Sequence, residues 1–135
     1  MIDINNLARE RFDRRAVIKV AESFLKKFKL TKKDLSLAFV SSQEMKRLNG
    51  TYRQKIGTTD VLSFDGEGDC LGEIVFDYKQ IKKQAKELKH SAKYELLFIL
   101  THGLLHLIGH DDNTEKKRLV MIKEGEELLA QFLKK

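Results

Sequence analysis

The feature that most restricts the fold is a long apolar segment in the last third of the chain. It follows Ser91, a residue type that favours a helix N-terminus, and it ends at Gly109, a residue type common where helices stop. Its leucines fall on more than one side of a helix, and such a helix must be buried. We therefore expect the rest of the chain to pack around it. These leucines are Leu96, Leu97, Leu100, Leu104 and Leu107.

Hydrophobic periodicity predicts the remaining elements. Short apolar or alternating runs predict strands at residues 2–5, 35–40, 60–64 and 71–76. Two glycines between the last two runs favour a hairpin. Apolar residues three and four apart predict further helices at 17–28, 78–88 and about 114–133. A short helix holding Met45 and Leu48 is predicted to end at Asn49-Gly50, with a loop over 50–59.

Length and composition point to a single domain over residues 1–135. The longest apolar run, residues 96–100, is far too short to cross a membrane. The N-terminus lacks the pattern of a secretory signal, and the single cysteine, Cys70, cannot form an internal disulfide. We therefore expect a cytoplasmic protein without membrane contact, with Cys70 buried. The net charge of +6 favours an anionic partner such as a nucleic acid.

Three of the four histidines fall within nine residues at the end of the central helix. His102 and His106 lie four residues apart, so a helix places them on one face with a rise of about 6 Å. Their imidazoles can then share a metal ion. Gly109 lets the backbone turn back, and Asp112 or its competitor His110 can supply a third ligand. Two imidazoles and a carboxylate suit zinc and leave a position open for water.

Other interpretations of these histidines remain open. A single histidine in an apolar helix is usually a core residue that has its own hydrogen-bond partner. Because two buried imidazoles would each need such a partner, the pair favours a metal site. His110 could also lie near the metal without binding it, or on the surface. His90 falls in a turn between helices and is expected to be solvated.

The spacing resembles that of the metzincin proteases, His-Glu-x-x-His-x-x-Gly-x-x-His. Gly103 stands at the position of the glutamate, which is the general base in peptide hydrolysis. A metal site without this base argues against a protease.

The predicted strands and helices together indicate the α+β fold class, with a small mixed four-stranded sheet packed with about five helices, one of them a metzincin-like metal-binding helix.

The same stretch resembles the YbeY family of bacterial rRNA maturation endoribonucleases, whose signature reads His-Gly-x-Leu-His-Leu-x-Gly-Tyr-Asp-His. Residues 102–112 read His-Gly-Leu-Leu-His-Leu-Ile-Gly-His-Asp-Asp. The family's tyrosine is therefore His110 here, and its third histidine is Asp112. Other similar blocks, in the same order, are Leu48-Asn49, Tyr52-Arg53, Thr59-Asp60-Val61-Leu62-Ser63-Phe64, Leu71-Gly72-Glu73-Ile74, Glu95-Leu96 and Met121.

This resemblance implies a metal-dependent endoribonuclease that acts on single-stranded RNA. Its partners would be ribosomal RNA and the small ribosomal subunit, and its role would be maturation of the 3' end of the small-subunit rRNA and ribosome quality control. One zinc ion, or another divalent transition metal, would be held by His102, His106 and Asp112. His102 and Arg53 would be catalytic, since Arg53 resembles the family's arginine and would hold a phosphate or stabilise charge building on phosphorus. Asp60 and Ser63 would shape the cleft through hydrogen bonds, and the general base stays open.

Two alternatives remain from the sequence. The chain could be a metal-dependent hydrolase of another substrate, such as a peptide, or a ribosome assembly factor with a structural metal. Two groups of lysines could follow an RNA backbone or simply be solvated. They are Lys26, Lys27, Lys29, Lys32 and Lys33, and Lys82, Lys83, Lys86 and Lys89.

Overall fold

The computed structural model describes residues 1–52 and 59–134. Within these ranges the chain forms four strands and five helices. In chain order they are β1 (Ile2–Asn6), α1 (Arg14–Lys27), β2 (Asp34–Phe39), α2 (Ser42–Tyr52), β3 (Val61–Asp65), β4 (Cys70–Phe76), α3 (Tyr78–Glu87), α4 (Ala92–Leu107) and α5 (Glu115–Phe132). The α+β class predicted from the sequence is confirmed.

The strands form a mixed sheet in the order β1-β2-β4-β3. β1, β2 and β4 run parallel, whereas β3 returns antiparallel to β4 as the predicted hairpin. The register of this hairpin pairs Val61 with Phe76 and Ser63 with Ile74. Among the described residues, β3 has a neighbouring strand on one side only, so its other side is a free edge of the sheet.

Helix α4 lies at the centre of the main core, as its apolar circumference predicts. It contacts α1, α3 and α5 as well as β3 and β4. Leu96, Leu97, Leu100 and Leu104 are almost completely buried there, together with Phe24 from α1. This central position matters for function, because it fixes the orientation of the histidines at the end of α4.

Helix α2 covers the opposite face of the sheet. There it packs on a smaller apolar cluster, which consists of Ala38, Val40, Met45, Leu62 and Val75. Leu48 and Phe64 are partly buried against this cluster. Because side chains alternate along a strand, Leu62 and Phe64 face α2. Val61 and Ser63 face α4 instead. The edge strand β3 therefore separates the α2 side of the sheet from the α4 side.

Two expectations from the sequence were wrong. Helix α2 does not end at Asn49-Gly50 but continues to Tyr52. Asn49 lies one turn after Met45 and is buried with it, so tertiary packing outweighs the weak helix propensity of asparagine and glycine. Cys70 is exposed rather than buried, because it is the first residue of β4, next to the hairpin turn. No helix in the described ranges is long and apolar enough to span a membrane.

Candidate metal centre

His102 and His106 lie one turn apart near the C-terminal end of α4. Their ring centroids are 5.0 Å apart, and the ring planes are inclined by 74°. The side chains are partly buried, with exposed fractions of 18% for His102 and 31% for His106. The structure thus brings the imidazoles together on the face where the four-residue spacing predicts them.

The turn after α4 brings Asp112 back to these imidazoles. Gly109 has a φ of +103°, which residues with a side chain rarely adopt, and the amide of His110 donates to the carbonyl of Leu105. Oδ2 of Asp112 then lies 3.6 Å from Nε2 of His102 and 3.7 Å from Nε2 of His106. The glycine predicted to reverse the chain does so, and it places the carboxylate over the histidine pair.

The distances within this group fit ligands of a shared divalent ion. One ligand atom from each of His102, His106 and Asp112 lies within 4.8 Å of the others. The carboxylate is too far from either ring for a good hydrogen bond. Atoms that bind a tetrahedral zinc at about 2.0–2.1 Å are about 3.4 Å from each other, close to the separations observed. The other ring nitrogen of His102, Nδ1, is buried without a hydrogen-bond partner among the described residues.

The surroundings of His102 favour the neutral imidazole that a metal requires. Burial lowers the pKa of His102, and the neighbouring charge of His106 lowers it further. The carboxylates of Asp112 and Asp60 act in the opposite direction but do not cancel the shift. A nitrogen lone pair is therefore available on His102 at a lower pH than on a free histidine.

His110, the competing third ligand, points elsewhere. Its Nδ1 lies 3.3 Å from Oε1 of Glu124 on α5, and it is not part of the group formed by the other histidines and Asp112. Of the candidates left open by the sequence, the structure brings Asp112 and not His110 to His102 and His106.

The position of Gly103 explains why no glutamate follows His102. A Cβ atom there would lie 3.1 Å from Cδ1 of Ile74 and 3.2 Å from Oγ of Ser63. The hydroxyl of Ser63 also donates to the carbonyl of Gly103 at 3.5 Å. A side chain at this position would require Ile74 and Ser63 to shift by a few tenths of an ångström, so the packing of α4 on β3 and β4 favours glycine over glutamate here.

The candidate ligands line a cleft of about 710 Å³ that continues around the free edge of β3. The α4 side of the cleft carries His102, His106 and Phe98, and the α2 side carries Tyr52 and Phe64. This shape gives an extended substrate access to the candidate ligands from both sides of the edge strand.

Asp60 enters the cleft with hydrogen bonds to its surroundings, as expected. Its Oδ2 accepts from Nε2 of Gln84 at 2.9 Å, and the same amide lies 3.5 Å from Oε2 of Glu95. Glu95 is only 5% exposed, and its Oε1 lies 2.7 Å from Nε2 of His90. The expectation that His90 is merely solvated was therefore wrong, because the turn between α3 and α4 directs it onto Glu95.

The described part of the cleft contains a cation that was not expected from the sequence. The predicted catalytic residue Arg53 lies outside the described residues. Arg118, in the first turns of α5, is the arginine that the described part of the cleft contains, and it makes a double hydrogen bond to Glu115 at 2.7 and 3.1 Å. Sequence reasoning missed Arg118, although its place just after the ligand turn was a usable signal. On α3, the exposed Lys82 pairs with Glu10 at 3.1 Å.

Comparison with known proteins gives a consistent result. A family model described as endoribonuclease YbeY matches residues 3–133. The endoribonuclease YbeY of Mycoplasmopsis synoviae is 42% identical over 113 residues, spanning 76% of this chain and 72% of the relative. The endoribonuclease YbeY of Finegoldia magna is 38% identical over 105 residues, spanning 73% and 69%.

A solved structure extends the similarity to the fold. The solution structure of TM1509 from Thermotoga maritima aligns with a TM-score of 0.68 and 26% sequence identity, covering 98% of this chain and 89% of that chain. The family match, the relatives and the shared fold all point the same way, and this chain belongs to the YbeY endoribonuclease family.

Proposed function

We propose that this chain is a metal-dependent endoribonuclease that cleaves phosphodiester bonds in single-stranded RNA. Its biological substrate is ribosomal RNA of the small subunit, where it matures the 3' end and takes part in ribosome quality control. Membership of the YbeY family supports the reaction, and the net charge of +6 supports a polyanionic substrate. We assign this activity to one domain, residues 1–135.

The observation that carries the proposal is the distance of Asp112 Oδ2 from both imidazoles, 3.6 and 3.7 Å. We assign His102, His106 and Asp112 as ligands of one zinc ion. A carboxylate in place of a third imidazole also tolerates harder divalent transition metals. A bound ion would supply Lewis acidity beside the scissile phosphate and lower the pKa of a water molecule.

The side chains around the ligands have complementary tasks. His102, kept neutral by burial, offers its ring nitrogen to the site. Arg118 lines the cleft and, while paired with Glu115, keeps further guanidinium N–H groups that can donate to the RNA backbone. We retain Arg53 as a catalytic residue that stabilises negative charge on the reacting phosphate. Asp60, held by Gln84, fixes the wall opposite α4.

The geometry favours this function over both alternatives. A structural zinc is usually enclosed by four protein ligands. The group found among the described residues has His102, His106 and Asp112 and opens into the cleft, which suits catalysis better. A peptidase of the metzincin type needs a glutamate at position 103, where this chain has a glycine packed closely against Ile74 and Ser63.

Cleavage of a defined single-stranded RNA by zinc-loaded protein tests the proposal. We expect His106→Ala to lose both bound zinc and cleavage, and Arg53→Ala to keep zinc but lose most cleavage. Wild-type protein treated with a chelator should be inactive until zinc is restored. His110→Gln is the matched comparison and should keep zinc and activity, because His110 contacts Glu124 rather than the imidazoles. Full cleavage by His106→Ala would refute a metal-dependent reaction.

A further inference from the structure

Tyr52 and Phe64 form an aromatic wall on the α2 side of the cleft. Tyr52 is the last residue of α2, and Phe64 lies on the edge strand β3. The ring centroids are 5.3 Å apart and the planes are inclined by 77°, an edge-to-face contact. This contact holds the tyrosine ring beside Phe64, and Tyr52 nevertheless remains 63% exposed at the cleft.

The exposure of Tyr52 is unusual for this protein. All phenylalanines and tyrosines of the chain fall in the described ranges, and among them Tyr52 alone is exposed, at 63%. The others are buried or half-buried, and most of them pack in the main core. An aromatic ring held in water at the edge of a cleft is a ready contact for a planar ligand.

The support beneath Tyr52 is packed against the sheet. Phe64 packs against the small apolar cluster between α2 and the sheet, and Met45 anchors α2 in that cluster. The contact with Phe64 therefore restricts the ring of Tyr52 before any ligand arrives, which reduces the side-chain entropy lost on binding.

We propose that Tyr52 stacks on one unpaired base of the RNA substrate. This inference rests on the proposed function and extends it to substrate recognition. The candidate metal ligands and Arg118 lie in the same cleft. A divalent ion bound there would attract phosphate, and Tyr52 would receive a base from the same strand on the other side of β3. Bases inside a duplex are already stacked and paired, so only a single strand can offer a free face. Tyr52 thereby makes the cleft selective for unpaired RNA while tolerating different base sequences.

A short RNA labelled with 2-aminopurine tests this stacking, because the fluorescence of that base falls when it stacks on an aromatic ring. Zinc-loaded wild type and Tyr52→Phe should quench the label at one position of the strand and bind alike. Tyr52→Leu should leave it bright and bind about fivefold or more weakly, the low end for loss of a base–aromatic stack. The same variant should raise KM for cleavage more than it lowers kcat. An unchanged thermal midpoint would show that the variant is folded.

The outcomes separate this inference from the proposed function. Equal quenching and affinity for Tyr52→Leu and wild type would overturn the stacking role, as would equal affinity of wild type for duplex and single-stranded RNA. Tyr52-dependent binding without any cleavage by zinc-loaded wild type would support the stacking role and refute the nuclease. If wild type binds no single-stranded RNA, both are refuted.

Discussion

At each end of helix α4, histidine lies close to a carboxylate, but the two groups differ in the distance between them. Near the start of the helix, His90 and Glu95 are 2.7 Å apart and Gln84 approaches Glu95 as well. Near its end, Asp112 stays 3.6 and 3.7 Å from the imidazoles of His102 and His106. The first group completes its own hydrogen bonds and stabilises the fold. The second group is spaced for an additional atom, which is what a metal site requires.

The largest expected effect of breaking the second group is on metal affinity. We predict that Asp112→Ala weakens zinc binding at least about 100-fold, because a stabilisation of several kcal/mol from the carboxylate is lost. Asp112→His, which restores the third histidine of the family signature, should retain zinc. Competition with a chromophoric chelator measures both affinities. Unchanged zinc affinity in Asp112→Ala would remove this residue from the ligand set.

Breaking the first group should affect stability instead. Glu95→Ala removes the acceptor of His90 and a partner of Gln84 in a buried position, and we expect a loss of about 1–3 kcal/mol in the free energy of unfolding. Urea denaturation measures this loss. Zinc stoichiometry should stay at one per chain. A Glu95→Ala protein of normal stability that fails to bind zinc would reverse the roles assigned to the ends of α4.

The glycine at the ligand turn provides a finer test. Gly109→Ala should cost about 1–2 kcal/mol of stability, because its φ of +103° is strained for alanine although the Cβ would meet no atom within 4 Å. Gly68→Ala is the matched control: it also has a positive φ, +61°, and open space, but lies in the hairpin turn. Both variants should lose stability in denaturation curves, whereas only Gly109→Ala should weaken zinc binding. Equal zinc affinities would show that the turn does not position Asp112.

The smallest expected effect is the pH dependence of the metal-free protein. The pKa of His102 is lowered in the folded state from its ordinary value of 6.5, chiefly by burial. At pH values between the folded and unfolded pKa, the unfolded chain binds more protons than the folded protein. The contribution of His102 to the free energy of unfolding is therefore fully present above about pH 6.5 and is lost as the pH falls below it. Urea titrations in chelator from pH 8 to pH 5 should show this decline, and His102→Gln should reduce it. An equal decline in both proteins would assign the effect to other groups.

Much of the candidate centre could be predicted because its determinants are local. The spacing of His102 and His106 directly implies a shared helix face, and Gly109 implies the return of the chain to Asp112. The buried position of α4 follows from leucines around much of its circumference. These features depend on 3.6-residue periodicity and on the conformational freedom of glycine, which are properties of short segments.

The rest depends on contacts between distant segments. Gln84 meets Asp60, 24 residues away, only because α3 packs beside the start of β3. Asn49 stays helical because α2 lies on the sheet, and the exposure of Tyr52 depends on where that helix ends. Tyr52 could be recognised as part of a family-like block, yet its position in the cleft required the three-dimensional arrangement of α2 and β3. Local patterns carry no information on such packing.

The central claim is that His102, His106 and Asp112 bind one catalytic metal ion. The most direct measurement is a crystal structure of zinc-loaded protein, with anomalous diffraction recorded on both sides of the zinc absorption edge. We predict one strong anomalous peak about 2.0–2.2 Å from a nitrogen of each histidine and an oxygen of Asp112. A fully metallated protein whose peak lies at His110 and Glu124, or anywhere away from the histidine pair, would contradict the claim.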